Sequence, residues 1–135
     1  MTAINVQCLG ASTVALLLER ASPEIELKTS LAVRHYGQLL LTKVRSKASG
    51  RPGPNVITGD YRRSWSMRMG HAAGLTTAWV GTNAPQGRRL EYGFHGQDAL
   101  GRHYDQPPYP HAEPALNEIS PDFQKAVYDI LEELL

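Results

Sequence analysis

N-V-I-T-G-D-Y-R-R-S-W, running from Asn55 to Trp65, is the hinge of the chain. A long helical pattern and a Pro/Gly-rich break precede it, and a sheet-like region opens after it. Thr58-Gly59 is a turn signal, because Gly59 can take the positive φ that other residues avoid. Tyr61 to Met69 supplies aromatic and β-compatible positions and is expected to be a strand. The helix before and the strands after must meet here. No catalytic constellation stands beside the stretch, so the sequence points to an assembly part rather than an enzyme.

Upstream, Ser22-Pro23-Glu24 signals a helix start: a serine N-cap, a proline at the first helical position, and Glu24 and Glu26 at the positive end of the dipole. The helix should run from Pro23 to about Lys47, roughly 37 Å. Ile25, Ala32, Tyr36, Leu39 and Lys43 fall at heptad-like spacing, and Leu27, Leu31, Leu40 and Val44 widen the apolar stripe. Ser49 to Pro54 ends it. Further upstream, Ile4 to Leu9 alternates as a short strand, or as an extended arm over residues 1–11. Ser12 is expected to cap a short helix from Thr13 to Arg20.

Downstream, Thr76 to Gly81 is a second strand, joined to the first by a hairpin loop at His71 to Gly74. Trp65 and Trp79 are expected core anchors. His95 to Pro110, rich in Gly, His, Asp and Pro, is expected to be a long loop or a loose hairpin. Glu113 to Leu116 begins a turn or short helix. Ser120-Pro121-Asp122 repeats the cap–proline–acid signal, starting a last helix whose face carries Phe123, Val127, Ile130, Leu131 and Leu134. The whole is an α+β fold: a long N-terminal helix and a C-terminal helix on a small, mostly antiparallel sheet. The 135 residues suit one domain.

The formal net charge is only +1, but its distribution is uneven. Ten Lys/Arg against one acid lie between Arg34 and Arg89, leaving four basic and twelve acidic residues at the two ends. Such a chain can stack copies head to tail, face a polyanion, or neutralise itself with its acidic last helix beside the basic middle. Arg62, Arg63, Arg68, Arg88 and Arg89 are the candidates for subunit or DNA contact; phosphate contacts would be sequence-independent and salt-sensitive.

The single cysteine, Cys8, permits no intrachain disulfide and suits a small buried hydrophobe in a reducing compartment. No apolar run approaches the ~18 residues of a membrane span, so a soluble protein made in the cytoplasm is expected. His95, Asp98, His103, Asp105 and His111 crowd one region, but without tight ligand spacing they suit a polar loop better than a metal site. Ser64 and Cys8 have no activating partner nearby in sequence. Gly50-Arg51-Pro52-Gly53 lacks the Lys-Ser/Thr ending of a phosphate loop, which excludes an NTPase. Neither catalytic residues nor a cofactor are assigned.

The order of T-G-D-Y-R-R-S-W (58–65), L-E-Y-G-F (90–94) and P-P-Y-P-H-A-E-P-A-L (107–116) resembles the small neck or tail-completion proteins of long-tailed bacteriophages, the lambda-type minor tail protein Z-like family. The similarity runs from Pro23 to the end of the chain. Tyr61 stands where the family usually has leucine, and Tyr109-Pro110 replaces its proline–phenylalanine pair. Thr58, Gly59, Glu91, Gly93, Pro114 and Ala115 are the motif residues and are expected to serve the fold; Glu91 could pair with a basic residue such as Arg62. The resemblance implies a virion structural protein at the head–tail junction, a connector or terminator built as a homo-oligomeric ring, a hexamer at the sixfold tail end. It further implies contact with other neck and tail proteins and with passing double-stranded DNA; no membrane partner is expected. A small DNA-binding or regulatory module using the basic middle is the alternative.

Overall fold

The computed structural model describes the backbone over residues 4–10, 13–19, 23–72 and 75–134, and side chains over 23–72 and 76–133. The elements are β1 (Ile4–Gly10), β2 (Thr13–Glu19), α1 (Pro23–Lys47), α2 (Asp60–Ser64), β3 (Ser66–Ala72), β4 (Leu75–Gly81), α3 (Gly87–Tyr92), β5 (Phe94–Gln97), β6 (His103–Gln106) and α4 (Ala112–Leu134). β1 to β4 form an antiparallel sheet in the order β1-β2-β4-β3, and β5 and β6 form a separate hairpin. The α+β class expected from the sequence is the one observed. Among the described residues no helix is long and apolar enough to cross a membrane.

α1 begins and ends where its signals lie, with Glu24 and Glu26 in its first turn and Arg45 and Lys47 in its last. Its buried stripe keeps Ile25, Leu40 and Val44 of the expected one and differs in the rest. Ile25, Thr29, Val33, Gly37, Leu40 and Val44 face inward, while Leu27 and Leu31 are 63% and 58% exposed. The reason is close approach. A Cβ at Gly37 would lie 2.8 Å from Met67 Sδ and 2.9 Å from the Ala78 Cβ, so α1 can rest on β3 and β4 only through a glycine. Thr29 satisfies its buried hydroxyl locally, donating to the Ile25 carbonyl at 2.6 Å. Size and hydrophobicity point to every leucine alike, whereas the sheet's position buries Leu40 and Gly37 and leaves Leu27 and Leu31 outside.

Four local expectations are corrected. Thr13–Glu19 is a strand, not a helix. A short apolar run fits either period, and here β1 and β4 pair with its two sides, the situation in which such runs are strands. Tyr61–Ser64 is helical, and the strand begins only at Ser66. Gly59, at φ 84°, redirects the chain, and the Arg63 amide bonds the Gly59 carbonyl at 3.1 Å to close the turn. Pairing of β3 and β4 extends through His71 and Ala72, which were expected in the loop. Finally, α4 is continuous through Pro121. Ser120 does not cap a new helix; its hydroxyl donates back to the Leu116 carbonyl at 2.7 Å. Ala115, Leu116 and Ile119 before the proline and Phe123 and Val127 after it bury into one core, which outweighs the missing amide. The Ser12 and Ser22 caps, the 73–74 turn and the side chains of Cys8 and Leu134 lie outside the described residues.

α1 and α4 run antiparallel: Lys28 pairs with Glu133 at one end, and Lys43 and Lys47 with Glu118 at the other. Tyr36 and Phe123 meet edge to face between them, 5.7 Å apart. Trp65, fully buried, fills the corner between α2 and β3, whereas Trp79 is only half-buried.

Residues 95–110 take the hairpin form. Asp98 closes its turn, accepting from the amides of Leu100 and Arg102, both at 2.9 Å, and from Arg102 Nε at 2.6 Å. The Arg102 amide leads the interactions that hold the Asp98 carboxyl below its ordinary range.

Candidate functional site

The three sequence stretches of the motif order converge on one buried junction. Glu91 is its centre. α3 ends at Gly93, whose amide bonds the Arg89 carbonyl at 2.8 Å with φ 80°. A Cβ there would stand 2.7 Å from the Gln106 carbonyl oxygen, so only glycine lets the hairpin return so closely. This exit places Glu91, 3% exposed, under the start of α4. Its Oε2 accepts from the amides of His111 (2.9 Å) and Ala112 (3.0 Å), and its Oε1 from the amide of Glu113 (3.0 Å). The next residue, Pro114, has no amide proton to satisfy. Glu91 thus caps α4 from a different helix, meeting the donors that a helix N-terminus leaves unpaired.

His111, fully buried, extends the network. Its Nδ1 lies 3.0 Å from Glu91 Oε2 and 2.8 Å from the Tyr109 carbonyl, both acceptors only, so Nδ1 carries a proton. Nε2 meets the Tyr61 hydroxyl at 2.5 Å. Trp65 stacks edge-on against both rings, at 6.3 Å from Tyr61 and 5.6 Å from His111. Burial alone would raise the pKa of Glu91; the His111 and backbone hydrogen bonds outweigh it and hold the carboxyl down at about 2. Burial, with the Glu91 charge adding to it, pushes the Tyr61 phenol up to about 12.

Glu91 therefore does not pair with Arg62, as the sequence suggested. Arg62 Nη1 donates to Ser49 Oγ at 3.0 Å instead. The signal for the true partner was present: P-H-A-E-P is a helix start with no Ser, Thr, Asp or Asn at the cap position. Thr58 accepts from the Asp60 amide at 3.3 Å, Gly59 turns the chain into α2, and Ala115 is buried in the core. All six motif residues thus have local structural work.

Two grooves flank the junction. One, of about 610 Å³, is lined by Pro54, Val56, Ile57, Tyr61, Leu90 and Tyr109, with the Arg51 guanidinium 3.7 Å from the Tyr109 ring centre. The other, of about 580 Å³, is lined by Thr42, Arg45, Ser46, Ser49, Arg62 and Arg63. Arg45 was not among the sequence candidates; its Nη2 donates to the Trp65 carbonyl at 2.5 Å. Of the five candidate arginines only Arg62 and Arg63 share this groove, and Arg63 is paired with Asp60. Arg68 lies on β3 over the Trp79 ring at 5.0 Å, and Arg89 over the Phe94 ring at 4.0 Å, with Arg88 exposed beside it on α3.

The uneven charge along the sequence becomes a polarity in space. The antiparallel helix pair sets Glu24 and Glu26 of α1 at the same end as Asp129, Glu132 and Glu133 of α4. Lys43, Arg45, Lys47 and Arg62 lie at the other end, so each end has an excess of one sign, with Lys28 and Lys125 among the acids and Glu113 and Glu118 among the bases. Neutralisation within the chain is partial: Glu118 and Glu133 reach lysines of α1, and Asp129 pairs with Lys125 of its own helix.

The five His and Asp residues considered as ligands are spread out. His95 pairs with Asp105 across the hairpin at 2.6 Å, His103 with Gln97 at 2.8 Å, Asp98 is in the turn, and His111 is in the core. Among the described residues no three His, Cys, Asp or Glu side chains converge as a metal-holding group. Both oxygens of Glu91 and both ring nitrogens of His111 are engaged within the protein, so the junction locks helices together. No family model, curated protein or solved structure matches the chain.

Proposed function

We propose that this chain is a virion structural protein of a long-tailed phage, forming a ring at the head–tail junction that completes the tail and lets DNA pass. One observation carries this. The stretches 58–65, 90–94 and 107–116, whose order gives the resemblance to neck and tail-completion proteins, meet at a single buried Tyr61–His111–Glu91 junction. Residues so distant in sequence form one mechanical joint that fixes α2, α3 and α4 to one another. The charge polarity suits contact between unlike surfaces of neighbouring copies, the arrangement that generates rings.

The alternative, a DNA-binding module, draws on the groove of Arg45, Arg62 and Arg63. Sedimentation separates the two. The purified chain should sediment as an oligomer, or travel with tail particles of the phage that encodes it, and should bind duplex DNA weakly. A chain that ignores tails and binds duplex DNA tightly as a monomer, with affinity falling steeply with salt, would establish the alternative.

A further inference from the structure

We infer that neighbouring copies join edge to edge, the outer side of β3 in one copy pairing with β1 of the next to continue the sheet. The inference rests on the ring proposed above and specifies its seam. In the order β1-β2-β4-β3 every neighbouring pair is antiparallel, so the two edge strands run in opposite directions. A second copy added head to tail therefore places its β1 antiparallel to β3 and keeps the alternation. The two edges also match in length, seven residues each. Among the described residues no strand pairs with the outer side of either.

An open edge strand presents unpaired amides and carbonyls, and proteins that must stay apart guard it with charges, prolines or bulges. β3 has neither a proline nor a bulge, and Arg68 is its one permanent charge. Its pairing with β4 is regular from Ser66 to Ala72, and it contains no proline. Its two ionisable side chains are exposed but engage neighbours within the same chain. Arg68 lies over Trp79, its own partner on β4, and His71 Nδ1 sits 2.9 Å from Oγ1 of Thr76, likewise its partner. His71 Nε2 reaches Glu26 of α1 at 2.6 Å. On the other edge, β1 carries no charged residue, and its irregularity is confined to the Cys8/Gly10 end. β1 of a neighbour offers Arg68 a neutral strand, and joining unlike edges gives a heterologous contact, the kind from which a ring is built when the rotation between copies closes.

Disulfide trapping tests the seam. Two strands separate β1 from β3 within a chain, roughly 14 Å at the usual inter-strand spacing. A disulfide needs Cα atoms within about 7 Å, so a β1–β3 disulfide must join two chains. In a Cys8→Ser background, Arg68→Cys is combined in turn with Asn5→Cys, Val6→Cys and Gln7→Cys, folding being checked by circular dichroism. At least one pair should give, on a non-reducing gel, a ladder rising one chain at a time and stopping at the ring number. Three results would overturn the inference. A folded monomer at every concentration denies copy-to-copy contact. Dimers from Arg68→Cys alone, without a ladder, place β3 against β3. An oligomer with neither places the seam elsewhere and leaves the ring itself standing, since tail association is measured separately.

Discussion

Glu91→Gln keeps the shape of the buried side chain and removes its charge, so it isolates what the carboxylate contributes. Folding lowers the pKa of this group from 4.5 to about 2. At 1.36 kcal/mol per pKa unit, the carboxylate contributes about 3 kcal/mol of stability at neutral pH. That is a large share of the 5–15 kcal/mol typical of a domain. Because the folded pKa is depressed, the contribution is fully present above about pH 4.5 and is lost as pH falls through about 2. An amide at this position also turns a donor toward the His111, Ala112 or Glu113 amides, which Glu91 now accepts. Urea denaturation is followed at several pH values by helix circular dichroism and by the fluorescence of buried Trp65. The variant should be less stable by at least about 3 kcal/mol at pH 7, and the gap should shrink by about that amount between about pH 4.5 and 2, leaving only the pH-independent cost of the amide donor. Comparison with wild type cancels the other carboxylates that folding holds low, Asp98 and Glu118. Curves that stay parallel down to pH 2 would refute the reasoning, for the loss would then come from shape and not from charge.

Gly37→Ala should destabilise the fold by about 1–3 kcal/mol in urea, despite alanine's better helix propensity, because the new methyl meets Met67 and Ala78. A neutral or stabilising result would mean that α1 can lift off the sheet at no cost. Pro121→Ala should raise the urea midpoint by an amount equivalent to about 1–3 kcal/mol, since it restores an amide within α4; no gain would show that the helix is bent to suit the proline. In an alkaline absorbance titration one of the six tyrosines should ionise near pH 12, and Tyr61→Phe should remove that late component. Being raised on folding, the Tyr61 pKa adds stability that is complete below about pH 10 and lost as pH rises through about 12. Wild type should therefore lose stability relative to Tyr61→Phe across that window in alkaline urea melts.

Local rules are strongest where a residue's own backbone decides. Pro23, the acids of the first turn and the basic last turn bounded α1 from the sequence, because proline and dipole preferences act within one turn. Gly59 was legible as a turn for the same reason: its φ of 84° is a property of one residue. The basic bias of the middle segment was equally plain, since it only requires counting. Tertiary structure decided what depends on a distant neighbour. Thr13–Glu19 is a strand because β1 and β4 pair with it, and no local property of its apolar run says so. α4 passes through Pro121 because the core on both sides holds it there. Gly37 outranks Leu27 and Leu31 at the helix face because a sheet presses against it. Glu91 illustrates the division best: the sequence marked it as a motif residue, yet its cap on α4 lies 20 residues away and exists only once the chain has folded back.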